Sequence, residues 1–143
     1  MGSTRVELVV DLGDWVSDLI GDLRCGRDTK AYVISVLAKD VGPDTDMSKM
    51  SLVLAYEEAR RTANFVVYQQ IGDWVLWVSS VHPGAISENQ EVVQTVGRLS
   101  YSACNRMLRG SWPLYEELAD NLPVIAREIN HRFQRDVMSK QQK

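Results

Sequence analysis

The stretch FVVYQQIGDWVLWVSSVHP, residues 65–83, limits the possible folds more than any other part of the chain. Ten of its first fourteen residues are apolar, the exceptions being Gln69, Gln70, Gly72 and Asp73. Turned through about 100° per residue, as on a helix, Val67, Ile71, Trp74, Val75, Val78 and Val81 share one broad face. Gln69, Asp73 and Ser80 gather opposite, flanked by Val66, Leu76 and Trp77. A helix apolar nearly all round is one that other elements surround. Val75–Val81 also has strong β-propensity, but the 3.6-residue period continues on both sides of Gly72 and decides for helix. Gln69, Gln70, Asp73 and His82 would be costly in hydrocarbon, and Pro83 closes the run early, so the segment is a poor membrane span. The expectation is an all-α, single-domain bundle of five or six helices around a central helix at about 51–82, with residues 1–5 and 139–143 frayed.

The other elements follow from the same period. In Val6–Leu23, Glu7, Asp11, Asp14, Asp18 and Asp22 form an acidic stripe, and Leu8, Val9, Leu12, Trp15, Val16, Leu19, Ile20 and Leu23 fill the opposite arc. Such a stripe is normally a solvated face; it could also dock a basic protein partner. Asp28 is placed to cap a second helix, whose apolar face is Tyr32, Val33, Val36, Leu37 and Val41 and whose stop is Gly42-Pro43. The third helix starts near Ser48 or Ser51 and runs to about Val81, with any bend expected at Gly72. Ser87-Glu88-Asn89-Gln90 reads as a capping box for a fourth helix ending at Gly110. Ser111-Trp112-Pro113 opens a short helix to about Asn121, and Pro123 suits the first turn of a last one.

Charge and cysteine usage narrow the function classes. The net charge is −3, whereas a nucleic-acid binder needs a positive surface to displace counterions. Cys25 and Cys104 are single and far apart, so there is no CxxC motif and no disulfide framework; a reducing cytoplasm suits that usage. The N-terminus lacks a basic region followed by an apolar run, so no secretory signal is expected, and Met1-Gly2 lacks the Ser or Thr that myristoylation wants at the place of Val6.

The central stretch resembles a group of small bacterial all-helical proteins of uncharacterised function. They share a Gly-Asp-x-x-Leu-aromatic-x-Ser segment closed by proline, present here as Gly72, Asp73, Leu76, Trp77, Ser79 and Pro83. A following Met-Gly-x-x-x-Tyr of that group is matched by Gly97 and Tyr101, with Val96 for the methionine, and its glycine after the serine is Ser80 here. The resemblance implies a helical fold and a bacterial or mobile-element (gene-cassette) origin, and implies no activity.

Constellations that could carry chemistry are thin. Glu128-Ile129-Asn130-His131 is half of a di-iron helix motif. The only other histidine, His82, has Ser79 where its glutamate should stand, so no metal is expected. Arg127, His131, Arg132 and Arg135 make a basic patch near the C-terminus, more simply read as favourable to the helix dipole. Cys104 or Ser80 with His82 lacks any nucleophile signature, and no glycine cluster offers a phosphate or dinucleotide site. No catalytic residue and no cofactor are expected. Asp73 stands apart: an acid inside the most buried helix must be paired, protonated or facing a wet cavity. It is expected to anchor a neighbouring helix through a tyrosine, an arginine or a backbone amide.

The chain therefore reads as a non-catalytic helical binding or interaction module. Its four tryptophans and five tyrosines suggest a homodimer that hides apolar surface. The alternative is a small-molecule-binding protein with a pocket lined by Asp73, Trp77 and Tyr101, together with Gln69, Ser80 and Tyr68. An enzyme of unknown class is the third reading.

Overall fold

The computed structural model describes residues 26–38, 52–81 and 90–141. Among the described residues there are five helices and no strand: α1 (Arg27–Ala38), α2 (Leu52–Thr62), α3 (Phe65–Val81), α4 (Gln90–Met107) and α5 (Leu114–Gln141). The fold is an all-α bundle, and α3 packs against all four other helices. Ile71, Val75 and Leu76 of α3 are fully buried, against a core completed by Val33 and Val36, Ala59, Tyr101, and Leu118, Leu122 and Ile125. The β-propensity of Val75–Val81 is overridden, because the helix-spaced residues Ile71, Val75, Leu76 and Val78 are buried on several sides of α3. The acidic-striped segment Val6–Leu23, the turn after Val41 and the capping box at Ser87 lie outside the described residues.

The expected central helix at about 51–82 is two helices. The chain breaks at Ala63 and Asn64, where Asn64 N–H bonds Ala59 O at 3.1 Å and Ala63 N–H bonds Arg60 O at 3.3 Å. These are the two hydrogen bonds of a Schellman C-cap, which needs one residue in the left-handed region. Ala63 takes that position with φ 49°. Asn64 then starts α3: its Oδ1 accepts the N–H of Val67 at 3.2 Å, and its carbonyl accepts the N–H of Tyr68. Glycine, the usual residue at the left-handed position, is absent, which hides the break from a reading of the sequence. Ala63→Gly should stabilise the protein by about 1 kcal/mol, because an L-residue there costs about 1–2 kcal/mol that glycine avoids. Urea unfolding midpoints at unchanged slope would measure it. Gly72, where a bend was expected, lies inside an uninterrupted α3.

The last two expected helices are one. Leu114 begins α5, with Pro113 O accepting the N–H of Glu117, and the helix runs through Pro123 to Gln141. A proline inside a helix leaves the carbonyl four residues earlier without its donor. Here that carbonyl, Ala119 O, accepts Arg98 Nε–H of α4 at 2.9 Å. The neighbouring helix supplies what the proline removed, and the break expected at residues 121–123 does not occur. α4 ends in a second Schellman cap, with Gly110 N–H on Asn105 O and Arg109 N–H on Arg106 O. Its left-handed residue is Arg109, φ 56°, ahead of Gly110.

Helix α1 is capped from a distance. Gly26 O accepts the N–H of Lys30, so Gly26, rather than Asp28, is the residue at the cap. The carboxylate of Glu117 on α5 accepts the N–H of Gly26 at 3.0 Å and the hydroxyl of Thr29. It takes the place of a side chain at the cap and adds negative charge at the positive end of α1. Asp28 instead accepts Trp112 Nε1–H at 3.0 Å.

Candidate functional site

Asp73 sits in the middle of α3, 7 % exposed. Its Oδ1 accepts two hydrogen bonds, from Tyr32 of α1 at 2.7 Å and from Tyr101 of α4 at 2.8 Å. One carboxylate oxygen thus ties three helices together. Hydrogen bonds to a charged acceptor in a dry interior are about twice as strong as neutral ones. One turn back on α3, Gln69 Nε2–H donates to Tyr115 Oη of α5 at 2.8 Å. Asp73 and Gln69, four apart and on one face, therefore connect α3 to α1, α4 and α5.

The tyrosines also pack on each other. The Tyr32 ring stands edge-on to Tyr101 and to Tyr115, with centroids 6.4 and 5.8 Å apart. Tyr115 also meets Phe65 at 5.7 Å, Tyr101 at 6.1 Å and Trp112 at 5.9 Å. These separations fall in the favourable range for edge-to-face and tilted pairs.

Room for this cluster comes from two glycines. A Cβ on Gly72 would stand 2.6–2.8 Å from three carbons of the Tyr101 ring. A Cβ on Gly97 would meet Val75 Cγ1 at 2.6 Å. Gly72 therefore admits the ring whose hydroxyl bonds the adjacent Asp73, and Gly97, one turn before Tyr101, brings α4 against α3. The residues of the Gly-Asp and Gly-x-x-x-Tyr segments meet at a single helix crossing.

The electrostatics favour an anchor over a reactive centre. Burial first, and the Asp73 charge second, push the Tyr101 hydroxyl well above its usual range, and the same causes raise Tyr32. Both remain neutral donors at neutral pH. Cys104, fully buried, is pushed up to about 12 by burial and then by the Asp73 charge. Its thiol points to Phe65 O at 4.0 Å and stays protonated, which removes its nucleophilicity.

Asp73, Tyr101 and Gln69 come together, and Tyr101 is fully buried with its ring filling the space beside Gly72. Tyr68 lies elsewhere, beside Tyr56 of α2 with centroids 5.8 Å apart. Trp77 is half-buried against the core. Ser80 belongs to the last turn of α3, where its carbonyl accepts Asn130 Nδ2–H at 3.1 Å; seven residues of helix separate it from Asp73 by about 10 Å. Tyr32 and Tyr115, central to the cluster, were missed as site residues. Tyr32 sits on the apolar stripe of α1 like any core residue, and only its hydroxyl hinted at more.

Among the described residues, no group of three or more histidine, cysteine, aspartate or glutamate side chains is placed to hold a metal ion. None of the described helices is long and apolar enough to cross a membrane. Comparison with protein-family models, with curated proteins and with solved structures gives no match.

Proposed function

We propose that the protein is a non-catalytic helical interaction module that self-associates as a homodimer. The observation that supports this reading is how the carboxylate of Asp73 is used. The feature most like a reactive group is buried, bonded to two tyrosines and walled by their rings, so it holds helices together. Meanwhile Leu54 is 65 % and Val66 56 % exposed, and Val53, Leu99 and Trp112 also leave large apolar area on the surface. Exposed apolar area of this kind is what a second copy of the chain would cover. Membership of the group of small bacterial helical proteins described above is part of the proposal. Its support is that the two segments carrying the likeness, Gly72-Asp73 and Gly97 to Tyr101, contact each other.

Light scattering at two concentrations tests the dimer. The expected mass is twice 16.2 kDa, falling toward the single-chain value on dilution and in Leu54→Glu combined with Val66→Glu. A mass of one chain at every concentration overturns it. Binding of a basic protein through Glu7, Asp11, Asp14, Asp18 and Asp22 is a secondary proposal, resting on the acidic stripe.

A further inference from the structure

We propose that a second site, the polar cleft where the end of α3 meets the start of α4 and the middle of α5, binds a small molecule carrying an oxyanionic group. The cleft encloses about 400 Å³ and is lined by Ser79, Gln90 and Gln94, and by Pro123, Arg127, Asn130, His131 and Gln134 of α5. That volume lies in the range of small-molecule sites. It is separate from the Asp73 cluster and shares no residue with it.

Three observations give the ligand its chemistry. First, no described lining residue is acidic: the walls carry one guanidinium, one imidazole, four carboxamides and a hydroxyl. Such a set presents many N–H and O–H donors and a fixed positive charge, suited to carboxylate or phosphate oxygens. Second, Ser79 is 6 % exposed, and its Oγ is buried with no hydrogen-bond partner. A buried hydroxyl left without a partner costs about 1–3 kcal/mol, so this wall of the cleft carries an unmet hydrogen-bonding group. Third, Arg127 is only loosely engaged: its one ion pair among the described residues is Nε to Glu128 Oε1 at 3.9 Å, and its side chain is 72 % exposed. Its guanidinium remains able to turn onto a ligand. The carbonyl end of α3 borders the cleft and would repel an anion, but Asn130 already donates to Ser80 O there.

The arrangement follows from the sequence of α5. Pro123, Arg127, Asn130, His131 and Gln134 recur at three- and four-residue spacing and form one polar stripe. Ile125, Ala126 and Ile129 between them are buried. This stripe takes in Arg127 and His131 of the C-terminal basic patch and gives them a concave surface to share.

The test titrates the full isotope-labelled chain with sodium phosphate and, separately, with sodium succinate, at ionic strength fixed by sodium chloride. The side-chain amide signals of Gln90, Gln94, Asn130 and Gln134 are followed by NMR. Saturable shifts of these signals are expected with at least one probe. Arg127→Gln should weaken binding about tenfold, the loss of roughly one charge-assisted hydrogen bond. Arg60→Gln removes the same charge from α2, near Tyr68 and Arg106 toward the other end of α4, and should leave binding unchanged. Saturation with phosphate alone assigns a phosphate group, with succinate alone a carboxylate, and with both a general oxyanion site. Shifts that never saturate with either probe, or equal weakening by Arg60→Gln, overturn the proposal. Arg127 and Arg60 are exposed, so both variants should fold.

Discussion

Gly72→Ala is expected to destabilise the protein by about 2–3 kcal/mol, the upper part of the range for overpacking. The sign matters more than the size. Alanine is worth about 1 kcal/mol more than glycine in an ordinary helix interior, so propensity alone predicts a gain. Here the new methyl would meet Cδ1, Cε1 and Cζ of Tyr101 at 2.6–2.8 Å. The ring cannot retreat cheaply, because Tyr32 and Tyr115 pack against it and Asp73 holds its hydroxyl. In a Tyr101→Leu background the clash is gone, and Gly72→Ala should become neutral or stabilising. A double-mutant cycle by urea unfolding would measure that reversal. Additive effects would contradict the close approach.

Asp73→Ala should cost about 3–5 kcal/mol, since each hydrogen bond to a charged group contributes roughly 1.5–3 kcal/mol. The replacement also strands the hydroxyls of Tyr32 and Tyr101 in the interior. Asp73→Asn keeps one acceptor oxygen for the two tyrosines while losing the charge and turning the second oxygen into an N–H donor, so it should cost less, about 1–2 kcal/mol. The ordering alanine, then asparagine, then wild type distinguishes an anchor from a surface acid, for which both variants would be near neutral. Thermal midpoints with circular dichroism would show the alanine variant well below the other two. Equal melting of all three would remove Asp73 from its structural role.

The central stretch could be assigned from the sequence because its signal is redundant. Ten apolar residues among Phe65–Val78 can be satisfied only by burial on several sides, and α3 does pack against all four other helices. A carboxylate in such a helix needs a partner whatever the fold, so a tyrosine or arginine anchor was deducible. Which tyrosines serve was not. Tyr32, Tyr101 and Tyr115 lie on three different helices, 28 to 46 residues from the α3 side chains they bond. Sequence spacing carries no information about such separations.

Misread boundaries share a physical cause. Helix ends are legible where a residue of special backbone preference marks them, and at Ala63 the left-handed position holds an ordinary L-residue. At Pro123 the opposite error arises: proline signals a break, but Arg98 restores the missing donor to Ala119 O from another helix. The Asp28 cap failed in the same way, since Glu117 of α5 took over the end of α1. In each case a local preference was outweighed by a group brought in from elsewhere in the fold.

What the sequence determined by itself is the helical class, the burial of α3 and the need of Asp73 for a partner, because these follow from periodicity and desolvation within one segment. What only the tertiary structure decided is where helices stop, which hydroxyls reach Asp73, and that the polar stripe of α5 closes a cleft with Ser79 and Gln94. Those depend on distances between segments, set by the packing of all five helices at once.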